Sequence, residues 1–394
     1  MTVSSSLENQ ELAQNSLSPS DTAQVQSIFR TAITQKKTIC VYSMPASEDL
    51  RLNLNSMNRI IEIDSANLVA VVEPGIKMGD LRTALSKDGL RFVPADTRFY
   101  DGKTVGEFYY EGRSNISSLK YGSAKHFLMG SEIVLADGQL LKTGGKTVKN
   151  VTGYDLTRFM NAPFTNFGVT VKFLLKLLPL PESRKAVVTN FESIEYLCGF
   201  VTALRQAKIT PAYLIWIDSN TQEFMRGTDR PGQIVLFELD GMTEEISQKW
   251  GVVSHLLDKF HATYRDEPKI SGDLSGEWTD MFTSSQGLIV ADDLKVKPTA
   301  QWGFIDKFYS LAHSERVSAG LFGQIAEGKL NIFVHSDVPN KFDFLRKVIS
   351  IVSAEGGYSS GRCNKMLGLA PIGPLVPIER GLKQLFDPYG VLKG

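Results

Sequence analysis

Cysteine is scarce in this sequence. Its three residues, Cys40, Cys198 and Cys363, are far apart and form no Cys-x-x-Cys pair. That spacing excludes a local zinc or iron–sulfur motif, and a sparse, odd set fits buried free thiols in a reducing compartment. The five histidines, His126, His255, His261, His313 and His335, show no His-x-His or His-x-x-x-His spacing, so no metal site is expected. An excess of either charge is also missing. Lys+Arg and Asp+Glu are both 43, which argues against nucleic acid or an anionic membrane surface as the main partner. No apolar run approaches the roughly 20 residues of a membrane span. The polar stretch Met1 to Asp21 lacks the basic and apolar regions of a signal peptide. The expectation is a disordered tail over 1–21 on a cytoplasmic protein without a transmembrane segment.

Familiar nucleotide and hydrolase signatures are missing too. No Gly-x-Gly-x-x-Gly follows a strand-like run, so a dinucleotide-binding Rossmann turn has no support. Gly144-Gly145-Lys146-Thr147 imitates the end of a P-loop, but Leu140 stands where its first glycine is needed. There is no Gly-x-Ser-x-Gly nucleophile elbow.

What is present reads as alternating strands and helices. A chain of 394 residues exceeds one ordinary core and predicts two domains. Val25, Ile28, Phe29 and Ala32 repeat at helical spacing within Thr22–Gln35. Ile60–Asp64 and Leu68–Glu73 flank Ser65-Ala66-Asn67 as a hairpin, and Glu132–Ala136 and Gln139–Lys142 flank Asp137-Gly138 as another. Val169–Leu178 is a long apolar run ended by Pro179-Leu180-Pro181. Beyond Arg184, strand-like segments alternate with helical ones, as in an antiparallel sheet with helices on one face. The fold class is therefore α+β, with domains at 22–182 and 183–354 and a closing segment at 355–394.

One stretch carries a specific resemblance. Tyr121-Gly-Ser-Ala-Lys-His-Phe-Leu-Met-Gly-Ser-Glu-Ile-Val-Leu-Ala-Asp-Gly138, then Thr143-Gly-Gly-Lys-Thr-Val-Lys-Asn-Val-Thr-Gly-Tyr-Asp-Leu-Thr-Arg158, resembles the FAD-binding domain of the vanillyl-alcohol oxidase/p-cresol methylhydroxylase (PCMH-type) flavoproteins. Within that superfamily it looks most like the FAD-binding subunits of bacterial glycolate oxidase. Met57–Asp64 with Val72-Glu-Pro-Gly75, Leu177–Pro181 and Leu385-Phe-Asp-Pro-Tyr-Gly-Val-Leu392 extend the similarity. The resemblance implies a PCMH-type domain of two α+β subdomains at 22–182, a cap domain at 183–354, and a C-terminal segment returning to the first domain. It implies FAD as cofactor. Its cofactor-binding positions map onto Pro74, Gly75, Gly106, Tyr121, Gly122, Lys149, Asn150, Gly153, Tyr154, Asp155, Gly168 and Val169.

Departures from the family pattern fall on the turns that face the pyrophosphate, where glycine lets backbone N–H groups approach the phosphates. Tyr42–Glu48 contains no glycine, and Val105–Gly112 places Glu107 and Glu111 where phosphate charge is expected. In Ala162–Gly168 only Gly168 survives, with Thr165 in place of a glycine. The family's metal-binding His-x-Gly-Asp-Gly-Asn-x-His segment reads Gln324–Asn331, and its Glu-His-Gly reads Glu355-Gly-Gly357. The sequence names no catalytic base. His126 and His335 qualify by scarcity alone and read better as surface or internally bonded residues. Lys149, Asn150, Tyr154 and Asp155 either shape a flavin pocket or stabilise a turn. Gly122, Gly153 and Gly168 read as backbone necessities. Tyr109 and Tyr110 face a flavin or pack a strand.

Two functions follow from the resemblance. The first is an FAD-binding oxidoreductase subunit that oxidises a small 2-hydroxy acid of the glycolate or lactate type and passes electrons to a partner. The second is a non-catalytic subunit that keeps the fold without tight FAD binding. Either implies a catalytic flavoprotein and an iron–sulfur subunit as partners, with any membrane association made through them.

Overall fold

The computed structural model describes residues 16–42, 49–95, 100–112, 115–146, 154–162, 167–226, 232–266, 288–335, 337–369 and 375–393. The chain runs β1 (Ser16–Leu17), α1 (Thr22–Gln35), β2 (Ile39–Cys40), β3 (Leu50–Leu52), β4 (Ile60–Asp64), β5 (Val69–Val72), α2 (Met78–Lys87), β6 (Leu90–Arg91), α3 (Val105–Glu111), α4 (Ser118–Tyr121), β7 (Leu128–Leu135), β8 (Leu140–Gly144), α5 (Leu156–Met160), β9 (Gly168–Lys176) and β10 (Leu178–Pro179). It continues with β11 (Ser183–Phe191), α6 (Ile194–Gln206), β12 (Tyr213–Ile217), α7 (Ser219–Arg226), β13 (Gln233–Gly241), α8 (Thr243–Lys259), β14 (Thr263–Asp266), β15 (Leu288–Lys295), α9 (Gln301–Glu315), β16 (Ala319–Gln324), β17 (Lys329–His335), α10 (Lys341–Ala354), α11 (Gly361–Met366), α12 (Leu375–Phe386) and β18 (Leu392–Lys393).

Three sheets carry the architecture. A small parallel sheet has the order β1-β3-β2-β18, so the chain's last strand pairs with one of its first, Leu392 opposite Ile39. Residues 16–21, expected inside a disordered tail, depart from that expectation: Ser16 pairs with Arg51, and Asp21 caps α1 by accepting from the Gln24 amide at 2.9 Å. An apolar face on α1 supplies the reason. Val25, Phe29 and Ala32 are fully buried against Ile39, Leu52 and Leu392, which fixes the segment leading into the helix.

The second sheet is antiparallel, β4-β5-β9-β7-β8. Its β7–β8 hairpin turns on Asp137-Gly138, where Gly138 has φ +81° and Asp137 accepts from the Gln139 amide. Strand β9 alternates, burying Val169, Val171, Phe173 and Leu175. Val169 and Val171 pack with the α1 core, while Phe173 and Leu175 pack with α2 and α3. One strand face therefore serves two cores.

The third sheet has seven antiparallel strands, β14-β11-β13-β12-β16-β17-β15. Helices α6, α8, α9 and α10 bury Phe200, Val253, Phe304, Phe308 and Phe344 against one of its faces. The other face presents Tyr213, Leu236, Phe322 and Phe333, and Ile116 from the first half of the chain packs on it. The architecture is a PCMH-like pair of α+β units followed by an antiparallel sheet with its main helices on one side. No helix among the described residues is long and apolar enough to cross a membrane.

Candidate functional site

A shallow cleft lies between the small parallel sheet and the five-stranded sheet, with about 50 Å³ of room left inside it. Its walls are Val41 and Tyr42 after β2, Gly106, Tyr109 and Tyr110 of α3, Met160 to Ala162 at the end of α5, Gly168 to Thr170 and Phe173 of β9, and Leu392 and Lys393 of β18. Of the positions implied by the resemblance, Gly106, Gly168 and Val169 line this cleft, and Pro74 stands behind Gly106, accepting its amide at 2.8 Å. Gly75 faces away, with its amide on the Met57 carbonyl at 2.7 Å. Lys149, Asn150 and Gly153 lie outside the described residues, as do 43–48 and 163–166. Tyr154 is 95% exposed, and Asp155 caps α5 and pairs with Arg158 at 2.9 Å.

Helix α3 stands where the resemblance places the second of three phosphate-facing turns. Thr104 caps it, and Glu107 closes a capping box by accepting from the Thr104 amide at 2.9 Å. Glu111 pairs with Lys103 at 2.7 Å. The leading amides of the helix are all taken. Val105 donates to the Ile76 carbonyl, Gly106 to that of Pro74, Glu107 to the Thr104 hydroxyl and Phe108 to the Thr104 carbonyl. A pyrophosphate held by backbone needs free N–H groups, and this turn offers none. The residues of α3 therefore do not fit that group.

Glycine at 106 answers a different need. A Cβ built there would run into the Tyr42 hydroxyl and lie 2.9 Å from its Cζ and 3.1 Å from Pro74 Cβ. Glycine lets the Tyr42 ring approach the α3 backbone. Tyr42 in turn lies against Tyr110, with ring centroids 5.0 Å apart and planes tilted by 38°. Gly168 is fixed by sheet packing, since a Cβ would lie 2.8 Å from the Val134 carbonyl oxygen.

Asn161, Thr170 and Lys393 at the cleft are paired within the protein. Asn161 donates to Ser131 Oγ at 2.9 Å and accepts from Thr170 Oγ1 at 2.7 Å. Lys393 meets Asp49 at 2.9 Å. Burial, then the charge of Glu107, pushes the Tyr42 hydroxyl well above the ordinary phenol range. Burial likewise raises Tyr109 and Tyr110. The described lining residues include no histidine or carboxylate, so they supply no proton acceptor at neutral pH. Tyr109 and Tyr110 both line the cleft, and both are helix residues; the Tyr109 ring also stacks on Phe173 at 5.2 Å.

Tyr121 and Gly122, expected at the cofactor, do not line the cleft. Tyr121 lies at the seam between the first half of the chain and the seven-stranded sheet. Asp240 is 2% exposed there and accepts from Tyr121 at 2.8 Å, Arg91 at 2.9 Å and Lys120 at 2.6 Å. Burial alone would raise the Asp240 carboxyl, but the bonds from Lys120 and Tyr121 and the charge of Arg91 hold it below the usual range. Gly122 has φ +83°, with His126 Nδ1 beside its open face. Gln324 joins the seam, its amide donating to the Asn115 carbonyl at 2.6 Å while its Oε1 accepts from Ser118 at 3.2 Å. His126 is exposed and His335 pairs with Asp337 at 3.2 Å; neither lines the cleft.

These features define a class. The N-terminal part, residues 14–144, matches the model of the FAD binding domain. The p-cresol methylhydroxylase structure with substrate bound superposes with a TM-score of 0.70 at 15% identity, covering 95% of this chain and 87% of that one. Residues 14–144 therefore carry an FAD binding domain, and the chain has the fold of the PCMH-type flavoproteins. The sequence is similar to glycolate oxidase subunit GlcD of Bacillus subtilis, 27% identical over 385 residues and spanning 90% of this chain and 80% of that one. It is also similar to D-lactate dehydrogenase of Archaeoglobus fulgidus, 25% identical over 410 residues and spanning 95% and 89%.

Proposed function

We propose that this chain is a subunit of an FAD-linked oxidoreductase that oxidises a small 2-hydroxy acid of the glycolate or lactate type and passes the electrons to a partner. The observation that supports it most is similarity to glycolate and D-lactate enzymes along nearly the whole chain, cap region included. The partners in this reading are a catalytic flavoprotein and an iron–sulfur subunit, the assembly is cytoplasmic, and contact with a membrane is made through them.

Two forms of the reading differ in where the FAD sits. In the first, this chain holds it, as the FAD-binding-domain match supports. In the second, the chain keeps the fold and FAD resides on the partner flavoprotein. The taken amides of α3 and the bonded seam around Gln324 favour the second.

The test is co-expression with a flavoprotein subunit and an iron–sulfur subunit from the same source, assayed with glycolate and D-lactate and an artificial electron acceptor. The expected result is a complex whose turnover falls at least tenfold when this chain is omitted. Full turnover without it, or none with any 2-hydroxy acid, overturns the reading.

A further inference from the structure

We propose that the cofactor cleft of this chain is filled by its own aromatic side chains, Tyr42 and Tyr110, so that the isolated chain holds no tightly bound FAD. This rests on the reading of the cleft as that of an FAD-linked subunit and concerns the same site.

The argument is one of space and of donors. Tyr42 lies two residues after the end of β2, where the resemblance places the first phosphate-facing turn, and its ring reaches the α3 backbone at Gly106. It closes on Gly106 so tightly that a methyl group there would strike the hydroxyl. Tyr110 covers the ring from the next turn of α3, at 5.0 Å between centroids. Two aromatic rings in tilted contact occupy that volume and exclude a third planar group from it. The phosphates fare no better, because the α3 amides they would need are bonded to Ile76, Pro74 and Thr104. Glu107, fixed by the capping box, adds negative charge beside Tyr42. A ligand with two phosphates would have to displace the ring, break the α3 bonds and accept that charge.

The experiment is an FAD titration of the purified full chain, together with the FAD-to-protein ratio of the protein as isolated. The wild type is expected to carry well under one-tenth of an equivalent of FAD. Tyr42→Gly, which removes the ring that closes on Gly106, is expected to bind FAD at least tenfold more tightly than the wild type. Tyr42→Phe keeps the ring and is expected to bind no better than the wild type. One equivalent of FAD retained by the wild type through gel filtration overturns the proposal, whatever the variants do. So does a folded Tyr42→Gly with unchanged affinity. If Tyr42→Gly fails to fold, Tyr42→Leu with Tyr110→Leu takes its place under the same criterion. Turnover of the assembled complex reads the function separately, so a negative result there leaves the FAD result standing.

Discussion

At the scale of the residue, the contact between Tyr42 and Gly106 makes the sharpest prediction. Gly106→Ala forces the added methyl into the Tyr42 ring. The expected cost is about 1–3 kcal/mol of stability, the range for overpacking a well-packed site, read as a lower urea midpoint at unchanged m-value. Tyr42→Leu should relieve most of it in the double variant, because the two sites share one space. Equal losses in the single and double variants would place the strain elsewhere. The sequence showed the missing glycines around Tyr42 and the tyrosines at 109 and 110. It did not show that Tyr42 folds back onto Gly106, because that contact joins a loop to a helix many residues away and leaves no local pattern. Periodicity registers neighbours along one element, and this site is made by several.

At the scale of the element, α3 shows how one segment can be read in two ways. By resemblance, Val105–Gly112 is a phosphate-facing turn with two misplaced acids. By physical pattern, Thr104 followed three residues later by Glu107 is a capping box that starts a helix. The structure takes the second form, and Gly112 ends the helix at φ +59°. Thr104→Ala removes the cap and should cost about 1 kcal/mol, measured as a drop in thermal midpoint. A null effect would mean the helix is held by its buried Phe108 and Tyr109 alone. The hairpins and the long helices were legible because turn chemistry and apolar spacing are local. The order of the seven-stranded sheet was not, since pairings such as Trp216 with Gly323 join segments with no sequence signal between them.

At the scale of the whole molecule, the seam at Asp240 holds the two halves together. Asp240→Asn leaves Arg91 buried with its charge unmatched, so a loss of about 3–5 kcal/mol is expected. The pH dependence follows from the direction of the shift. Asp240 is held below its ordinary value of 3.8, so its contribution is complete above about that pH. It is lost as acid carries the pH down through the lowered folded value. Acid titration should therefore destabilise the wild type below about pH 4 by an increment that Asp240→Asn lacks. Identical acid curves for both proteins would remove Asp240 from the account.

The parallel sheet that seats Tyr42 is completed by β18, and Val391 and Leu392 donate their amides to Asp387 at 2.8 and 2.9 Å to set that strand. During synthesis, β2 leaves the ribosome early and waits for its neighbour until the seven-stranded sheet has been made. The first half of the chain thus cannot reach its final form before the second half exists. Until then β2 pairs only with β3, and its other side is an open strand edge, the kind of edge that recruits stray strands. A chain lacking β18 would expose that edge for good, so the pairing of Leu392 with Ile39 reports that the second half has been made and folded.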